Sequence, residues 1–187
     1  MRAAAAVVAT LAGLAALVVP TPASAWERSQ GLGIDVGTAM LSVNNEATQT
    51  GIQFGLHYSL RLTDQFDFVT EAACGVVDLD PIVATGAPLN RPQYVWNADA
   101  GVIYKLDIVQ FFPYFGVLGG AYYLAGGSLP SAMPLPGGEV AVGGDYLLTR
   151  RWAVGLSIRE HFLFTELGTY PSYLTVTARV EVNWGGK

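Results

Sequence analysis

Residues Thr50–Val77 have the sequence TGIQFGLHYSLRLTDQFDFVTEAACGVV, and their pattern indicates the architecture of the chain. This stretch contains two segments in which apolar residues alternate with polar or small ones, joined by a short connection at residues 62–65. Successive side chains of a β-strand point to opposite faces, so each segment predicts a strand with one apolar and one polar face. Both segments exceed the roughly 5–6 residues of a soluble strand. They match the roughly 9–11 residues with which a tilted strand crosses a bilayer.

The same alternation recurs along the chain and predicts an all-β protein of eight strands. The predicted strands cover about residues 30–43, 50–61, 66–77, 93–106, 111–125, 138–148, 152–164 and 172–184. Both faces of the fifth segment are apolar, which leaves its inward side open. Three connections are tight turns, at residues 62–65, 107–110 and 149–151, and two are long loops, at 78–92 and 126–137. Short turns at one end and longer loops at the other are typical of up-and-down outer-membrane β-barrels.

The N-terminus predicts a cleaved secretory signal peptide. A basic start at Met1-Arg2 precedes an apolar run from Ala3 to Val19, and Ala23-Ser24-Ala25 is a small-residue cleavage site. A retained N-terminal membrane helix is the alternative, but the run is short and is followed by proline. We therefore expect a signal peptide at residues 1–25 and one barrel domain at residues 26–187.

The composition favours a membrane protein over a soluble one. Charged residues make up 13% of the chain, against about 25% in a soluble domain. The mean hydropathy is +0.36, yet no apolar run after the leader approaches the length of a membrane-spanning helix. An exported chain of this kind can still span a membrane as a closed β-barrel. The net charge of −5 argues against a nucleic-acid partner, and the single cysteine, Cys74, excludes an intramolecular disulfide.

The residue types on the two faces predict which one meets lipid. The polar face carries Gly, Ala, Ser and Thr with scattered charges, whereas a water-facing surface is about a quarter to a third charged. Small residues suit the crowded interior of an eight-stranded barrel. We therefore expect the apolar face outside, with a soluble secreted barrel as the alternative. Aromatic residues near the strand ends predict two interfacial girdles: Phe66, Tyr104, Phe112, Trp152 and Trp184 at the turns, and Tyr94, Trp96, Tyr122, Phe162 and Tyr173 at the loops.

Taken whole, residues 30–184 resemble the small eight-stranded outer-membrane proteins with an OmpA-like or OmpW-like transmembrane domain. Beyond the strand pattern, two phrases carry the resemblance: FPYFG at residues 112–116 and DYLLTRRWAVGL at residues 145–156. Neither phrase is a functional motif. The resemblance implies a transmembrane barrel, and an OmpW-like role would imply a narrow conduit for small or hydrophobic solutes.

Charged side chains on the predicted inward face form the candidate site. We expect a polar network in the lumen made by Asp35, His57, Glu71, Asp99, Arg159, Arg179 and Glu181. Buried charges persist when they are paired, so Arg159 and Arg179 are expected to hold Glu71, Asp99 or Glu181. A structural role in a filled lumen is the first interpretation. A narrow or gated conduit is the alternative, although eight strands leave no open aqueous channel.

A hydrolase is the third hypothesis. His57, Ser59 and Glu71 are the residue types of a catalytic triad, and their spacing is similar to that of the eight-stranded lipid A deacylases. Those enzymes carry Asn directly after the serine, where this chain has Leu60, and their motif lies late in the sequence. We therefore expect no enzymatic activity. The two histidines, His57 and His161, lie on different predicted strands, so we expect no metal site and no cofactor.

These features together predict a non-enzymatic integral outer-membrane barrel with a structural or surface-interaction role. We expect the protein to be exported by a Sec-type signal peptide to the outer membrane of a double-membraned bacterium. Its expected partners are outer-membrane lipid and lipopolysaccharide, and the outer-membrane assembly machinery during biogenesis. We expect a monomer, with the loops at 78–92 and 126–137 presented outside the cell.

Overall fold

The computed structural model describes residues 29–44, 47–77 and 91–185. Over these ranges the chain forms eight strands: β1 (Gln30–Ser42), β2 (Gln49–Arg61), β3 (Phe66–Val76), β4 (Tyr94–Lys105), β5 (Phe111–Ala125), β6 (Met133–Leu147), β7 (Trp152–Leu163) and β8 (Ser172–Trp184). Among the described residues, no helix is long and apolar enough to cross a membrane. The predicted signal peptide and nearly all of the predicted loop at 78–92 lie outside the described residues.

The eight strands close into one up-and-down barrel. Each strand pairs antiparallel with the next, and β8 pairs back to β1 in a register that runs from Gln30–Trp184 to Ser42–Ser172. Closure gives every strand a neighbour on both sides. The strands are 11 to 15 residues long, which is enough for a tilted strand to cross a bilayer. The predicted eight-stranded antiparallel barrel is therefore confirmed.

Exposure alternates along most of the length of the strands and confirms the predicted faces. Leu56 is 57% exposed, whereas its neighbour His57 is 1% exposed. On β5, where the sequence left the sides open, Tyr114 and Leu118 point inward, and Val117 is 63% exposed on the outside. The barrel therefore has an apolar exterior and an interior that contains almost all of its buried charge.

The prediction of a loop up to residue 137 is wrong, because β6 begins at Met133 and includes Pro134 and Pro136. Pairing of β6 with β7 starts only at Gly137, so this first part of the strand has a ladder partner on one side, β5. Proline lacks the N–H that a second ladder would need, and it is therefore tolerated where a strand has one neighbour. The loop after β5 consequently covers residues 126–132.

Three predicted members of the aromatic girdles do not face outward. Tyr122 is 1% exposed and Tyr173 is 0% exposed, and both lie inside the lumen. Phe112 pairs with the inward-facing Asp145 and so lies on the inner side of β5. Both faces of β5 are rich in aromatic residues, so alternation within that strand could not identify the lumen side.

Inside the barrel, large inward-facing side chains pack against glycines on other strands. A side-chain carbon at Gly75 would collide with the Tyr173 hydroxyl, and one at Gly33 would collide with the His57 ring. At the loop end, an apolar cluster fills the lumen, which we call the loop-end plug. Its buried members are Ala39, Leu41, Val43, Val77, Val95, Tyr122, Leu124, Leu135, Leu163, Tyr170 and Tyr173. The charged side chains lie between this plug and the turn end.

Candidate functional site

At the turn end of the lumen, charges from four strands meet. The Lys105 Nζ atom at the end of β4 lies 2.9 Å from Asp67 Oδ2 on β3 and 3.6 Å from Asp145 Oδ2 on β6. Arg61 at the end of β2 places its Nε atom 3.4 Å from Asp67 Oδ1. Arg61 is the most exposed of the four, so this group forms the mouth of the polar lumen.

Deeper in the lumen, His57 lies between two carboxylates. Its Nδ1 atom contacts Asp35 on β1, and its Nε2 atom lies 3.1 Å from Glu181 Oε2 on β8. The Ser59 hydroxyl donates to the same Glu181 oxygen at 3.1 Å. All of these side chains are at most 5% exposed. The imidazole therefore links β1, β2 and β8 at one level of the barrel.

Arg179 joins this group to the mouth. Its Nε atom lies 3.5 Å from Asp145 Oδ1 and 3.7 Å from Asp35 Oδ1, and its Nη2 atom lies 3.9 Å from Glu181. Its Nη1 atom donates to the Tyr114 hydroxyl at 2.7 Å. The Arg179 guanidinium thus contacts acidic groups on three strands and a tyrosine on the opposite wall.

Arg159 organises a second group in the middle of the lumen. Its Nη1 atom contacts Glu71 on β3 and donates to Glu139 Oε1 on β6 at 2.9 Å. Its Nε atom donates to the Ser157 hydroxyl at 3.0 Å. The other Glu139 oxygen lies 3.0 Å from His161 Nδ1. Arg159 and His161 lie on the same face of β7, so the two side chains that contact the Glu139 carboxylate come from a single strand.

Neutral polar groups lie between the charges and the plug. The Tyr122 hydroxyl lies 3.0 Å from His161 Nδ1, and the Thr175 hydroxyl lies 3.1 Å from His161 Nε2. The Tyr173 hydroxyl donates to Gln53 Oε1 at 3.2 Å. Tyr122 and Tyr173 therefore belong to both layers, with polar tips on the network and rings in the plug.

The structure places all seven predicted lumen residues inside the barrel, each at most 5% exposed. Two separate groups result, because Arg159 and Arg179 hold different acids. Asp99 differs from the expectation, since it accepts a hydrogen bond from Asn97 at 2.7 Å and no arginine contacts it among the described residues. The closer carboxylates Glu71 and Glu139 occupy Arg159 instead. The predicted lumen network omitted Asp67, Lys105 and Glu139, although each occupies an inward-facing position of its strand.

The residue types of a hydrolase are present, but their contacts differ from those of a triad. A triad needs a hydrogen bond between the nucleophile and its base. Ser59 donates to Glu181, and His57 has both ring nitrogens at the carboxylates Asp35 and Glu181. Glu71 is held by Arg159. In the part of the chain that the structure describes, no group of three or more His, Cys, Asp or Glu side chains could hold a metal ion.

Some polar atoms inside the described lumen lack a hydrogen-bond partner. Four of them are Asn97 Oδ1, Asp99 Oδ1, Arg159 Nη2 and Thr177 Oγ1. Such atoms are costly to bury unless water satisfies them. Three of the four lie on side chains that already make other contacts in the middle layer. The lumen therefore contains a network of paired charges and, near its centre, polar atoms that have no hydrogen-bond partner within the protein.

No protein-family model matches the sequence, and no curated protein matches it. Solved structures do match over most of their length. Neisserial surface protein A (NspA) has a TM-score of 0.62 at 16% identity, covering 83% of this chain and 97% of that one. The attachment invasion locus protein Ail of Yersinia pestis has a TM-score of 0.57 at 10% identity, covering 84% and 99%. The N-terminal barrel domain of Pseudomonas aeruginosa OprF has a TM-score of 0.55 at 13% identity, covering 84% and 100%.

At these identities the likeness establishes the fold. It is the fold of the small eight-stranded barrels of bacterial outer membranes. The chain's own surface agrees, because exposed Leu, Ile, Val and Phe side chains cover the outside while the buried charges lie within. Water would not favour that arrangement, whereas a bilayer requires it. The protein therefore has both the fold and the lipid-facing surface of an outer-membrane β-barrel.

Proposed function

We propose that this protein is a non-enzymatic outer-membrane barrel whose filled lumen has a structural role and whose loop end acts at the cell surface. The observation that carries the proposal is the closure of the lumen at the loop end. Leu41, Leu124 and Leu163 in the loop-end plug are each 0% exposed. An ion that crossed this layer would lose its hydration without gaining a partner, which costs several kcal/mol or more.

The ion pairs below the plug support the structural part of the proposal. Arg159 ties β7 to β3, and Arg179 ties β8 to Tyr114 on β5. These contacts cross the lumen between strands that share no ladder. A conduit would need the same space for solvent, and eight strands provide little of it. The network therefore acts as a set of internal braces.

The loop end supports the surface part of the proposal. Loop 126–132 is fastened to the segment before β4, since Ser128 N donates to Arg91 O at 2.9 Å and Arg91 N to the Ser128 hydroxyl at 3.0 Å. In loop 164–171, Phe164 is 58% exposed and Leu167 is 44% exposed. An ordered rim with exposed apolar side chains suits contact with outer-leaflet lipid or lipopolysaccharide. We propose that the barrel works there as a monomer, inserted by the outer-membrane assembly machinery.

Planar-bilayer recording tests this proposal. The wild-type protein should give no reproducible conductance steps. A Tyr122→Ala, Tyr173→Ala double variant removes two rings from the plug, so it should conduct and shows that the assay detects an open lumen. Regular steps from the wild type would overturn the structural role.

A narrow conduit is the second candidate function, and one observation favours it. Polar groups run from Lys105 at the mouth to the Tyr173 hydroxyl at the edge of the loop-end plug, with unpartnered polar atoms on Asp99 and Arg159. Only the plug then separates this path from the loop end. If the protein is a conduit, the wild type conducts and Asp99→Asn changes its cation preference. A silent wild type beside a conducting plug variant excludes this role.

A further inference from the structure

The turn between β4 and β5 exposes an unusually apolar tip. Leu106 is 43% exposed, Ile108 is 55% exposed and Val109 is 88% exposed. Backbone hydrogen bonds in both directions between Ile108 and Phe111, at 3.1 and 3.0 Å, close the turn. The tip therefore holds Val109 away from the barrel with most of its side chain outside the chain's own packing.

Val109 also has a backbone conformation that its side chain disfavours. Its φ is +61°, and among the described residues it is the one non-glycine residue with positive φ. This region suits Gly, Asn or Asp, and a β-branched residue there is a strained outlier. At 88% exposure the valine gains little from contacts within the chain. The side chain therefore remains available for contacts outside the chain.

The other two short turns show that the turn end does not require an apolar tip. In both, a threonine hydroxyl accepts hydrogen bonds from the backbone two and three residues later, from Thr63 in one turn and Thr149 in the other. The exposed residues that follow these threonines are Asp64 and Gln65 in one, and Arg150 and Arg151 in the other. Polar tips thus close turns at the same end of the barrel.

The apolar turn continues the lipid-facing surface of the barrel. Phe111 directly after it is 47% exposed, and Phe115 on the same face is 56% exposed. Gln110 fastens the turn to β6, since Tyr146 donates its hydroxyl to Gln110 Oε1 at 2.8 Å and Leu147 N donates to Gln110 O at 2.9 Å. Tyr146 belongs to the outward face, so the turn lies alongside the surface that lipid covers.

We propose that the turn at residues 106–110 inserts into the phospholipid leaflet at the turn end of the barrel. The inference rests on the proposed membrane role and goes beyond it, because this turn lies in lipid while the other two lie in water. Ile108 and Val109 enter the boundary between headgroups and acyl chains, and Asp107 and Gln110 remain at the headgroups. Burial of Val109 in lipid then offsets its strained backbone.

Site-directed spin labelling tests the insertion. The background is Cys74→Ala, with a single nitroxide-labelled cysteine at Val109, at Asp64 or at Val117. The barrel is folded into vesicles of phosphatidylethanolamine and phosphatidylglycerol. Collisions with oxygen, which concentrates in lipid, are compared with collisions with a water-soluble nickel complex. Val109 and the mid-barrel Val117 should favour oxygen, and Asp64 should favour nickel.

The controls separate failure of this inference from failure of the membrane role. A label at Val109 that behaves like the one at Asp64, while Val117 stays in lipid, overturns the insertion. A Val109 label shielded from both reagents means that a protein partner covers the turn, which also overturns it. A Val117 label exposed to nickel would contradict the membrane barrel itself.

Discussion

Arg159 on β7 and Glu71 on β3 form an ion pair across the lumen, between strands separated by three others around the barrel. Their side chains are 2% and 1% exposed, and Arg159 also holds Glu139. A buried pair is stabilising only while both partners remain, because each charge has lost its water. Such pairs make the interior of this barrel sensitive to single substitutions.

Arg159→Met should destabilise the folded barrel by about 3–5 kcal/mol, because Glu71 and Glu139 would lie buried without their cation. The measurement is reversible urea unfolding in lipid vesicles. Arg150→Met is the matched control, since this exposed arginine should change stability by about 0.5 kcal/mol or less. Adding Glu71→Gln to Arg159→Met should recover part of the loss. Equal stability of Arg159→Met and the wild type would show that the pair is not a brace.

Gly75→Ala should destabilise the barrel by about 1–3 kcal/mol, because the added methyl group would meet the Tyr173 hydroxyl. Tyr173→Phe removes that hydroxyl, so the two changes together should cost less than their sum. A double-mutant cycle measures this coupling. Gly119→Ala is the control, since the nearest atom lies 3.8 Å from the added carbon. Strictly additive effects of the two substitutions on stability would mean that Gly75 does not make room for the Tyr173 hydroxyl.

Leu156→Arg should cost about 2–4 kcal/mol if this side chain faces the middle of the bilayer. Leu156 is 63% exposed on β7, whereas Leu148, 58% exposed, lies in the turn before that strand. Leu148→Arg should therefore cost about 0–1 kcal/mol. Unfolding in vesicles measures both. Equal and small effects on stability at the two positions would indicate that water, and not lipid, surrounds the barrel.

Ser59→Ala should leave lipid A acylation unchanged in cells that express the protein. The Ser59 hydroxyl donates to Glu181 and not to His57, so the histidine is not positioned to activate it as the base of a triad. Mass spectrometry of lipid A from cells with the wild type, the variant or no protein makes the comparison. Loss of an acyl chain only with the wild type would reinstate the hydrolase.

The sequence predicted the fold and the sidedness because both follow from local alternation. On β2, Leu56 and His57 differ in exposure as their neighbouring positions on a strand require. The same rule placed Asp35, Glu71 and Arg179 in the lumen. It failed for Tyr122, since a strand that is apolar on both faces has no pattern to read. It also misplaced the start of β6, where the prolines at 134 and 136 indicated a loop.

The number of strands, the lipid-facing side of most of them and seven of the polar side chains in the lumen could be predicted from the sequence, because strand periodicity is a property of each segment alone. Which charges meet became evident only in the folded barrel. Arg159 reaches Glu71, 88 positions away, and leaves Asp99 to Asn97. Those choices depend on the stagger and tilt with which eight strands close, and no single segment contains that information. The strained Val109 also became visible only in three dimensions, because φ cannot be read from a residue's name.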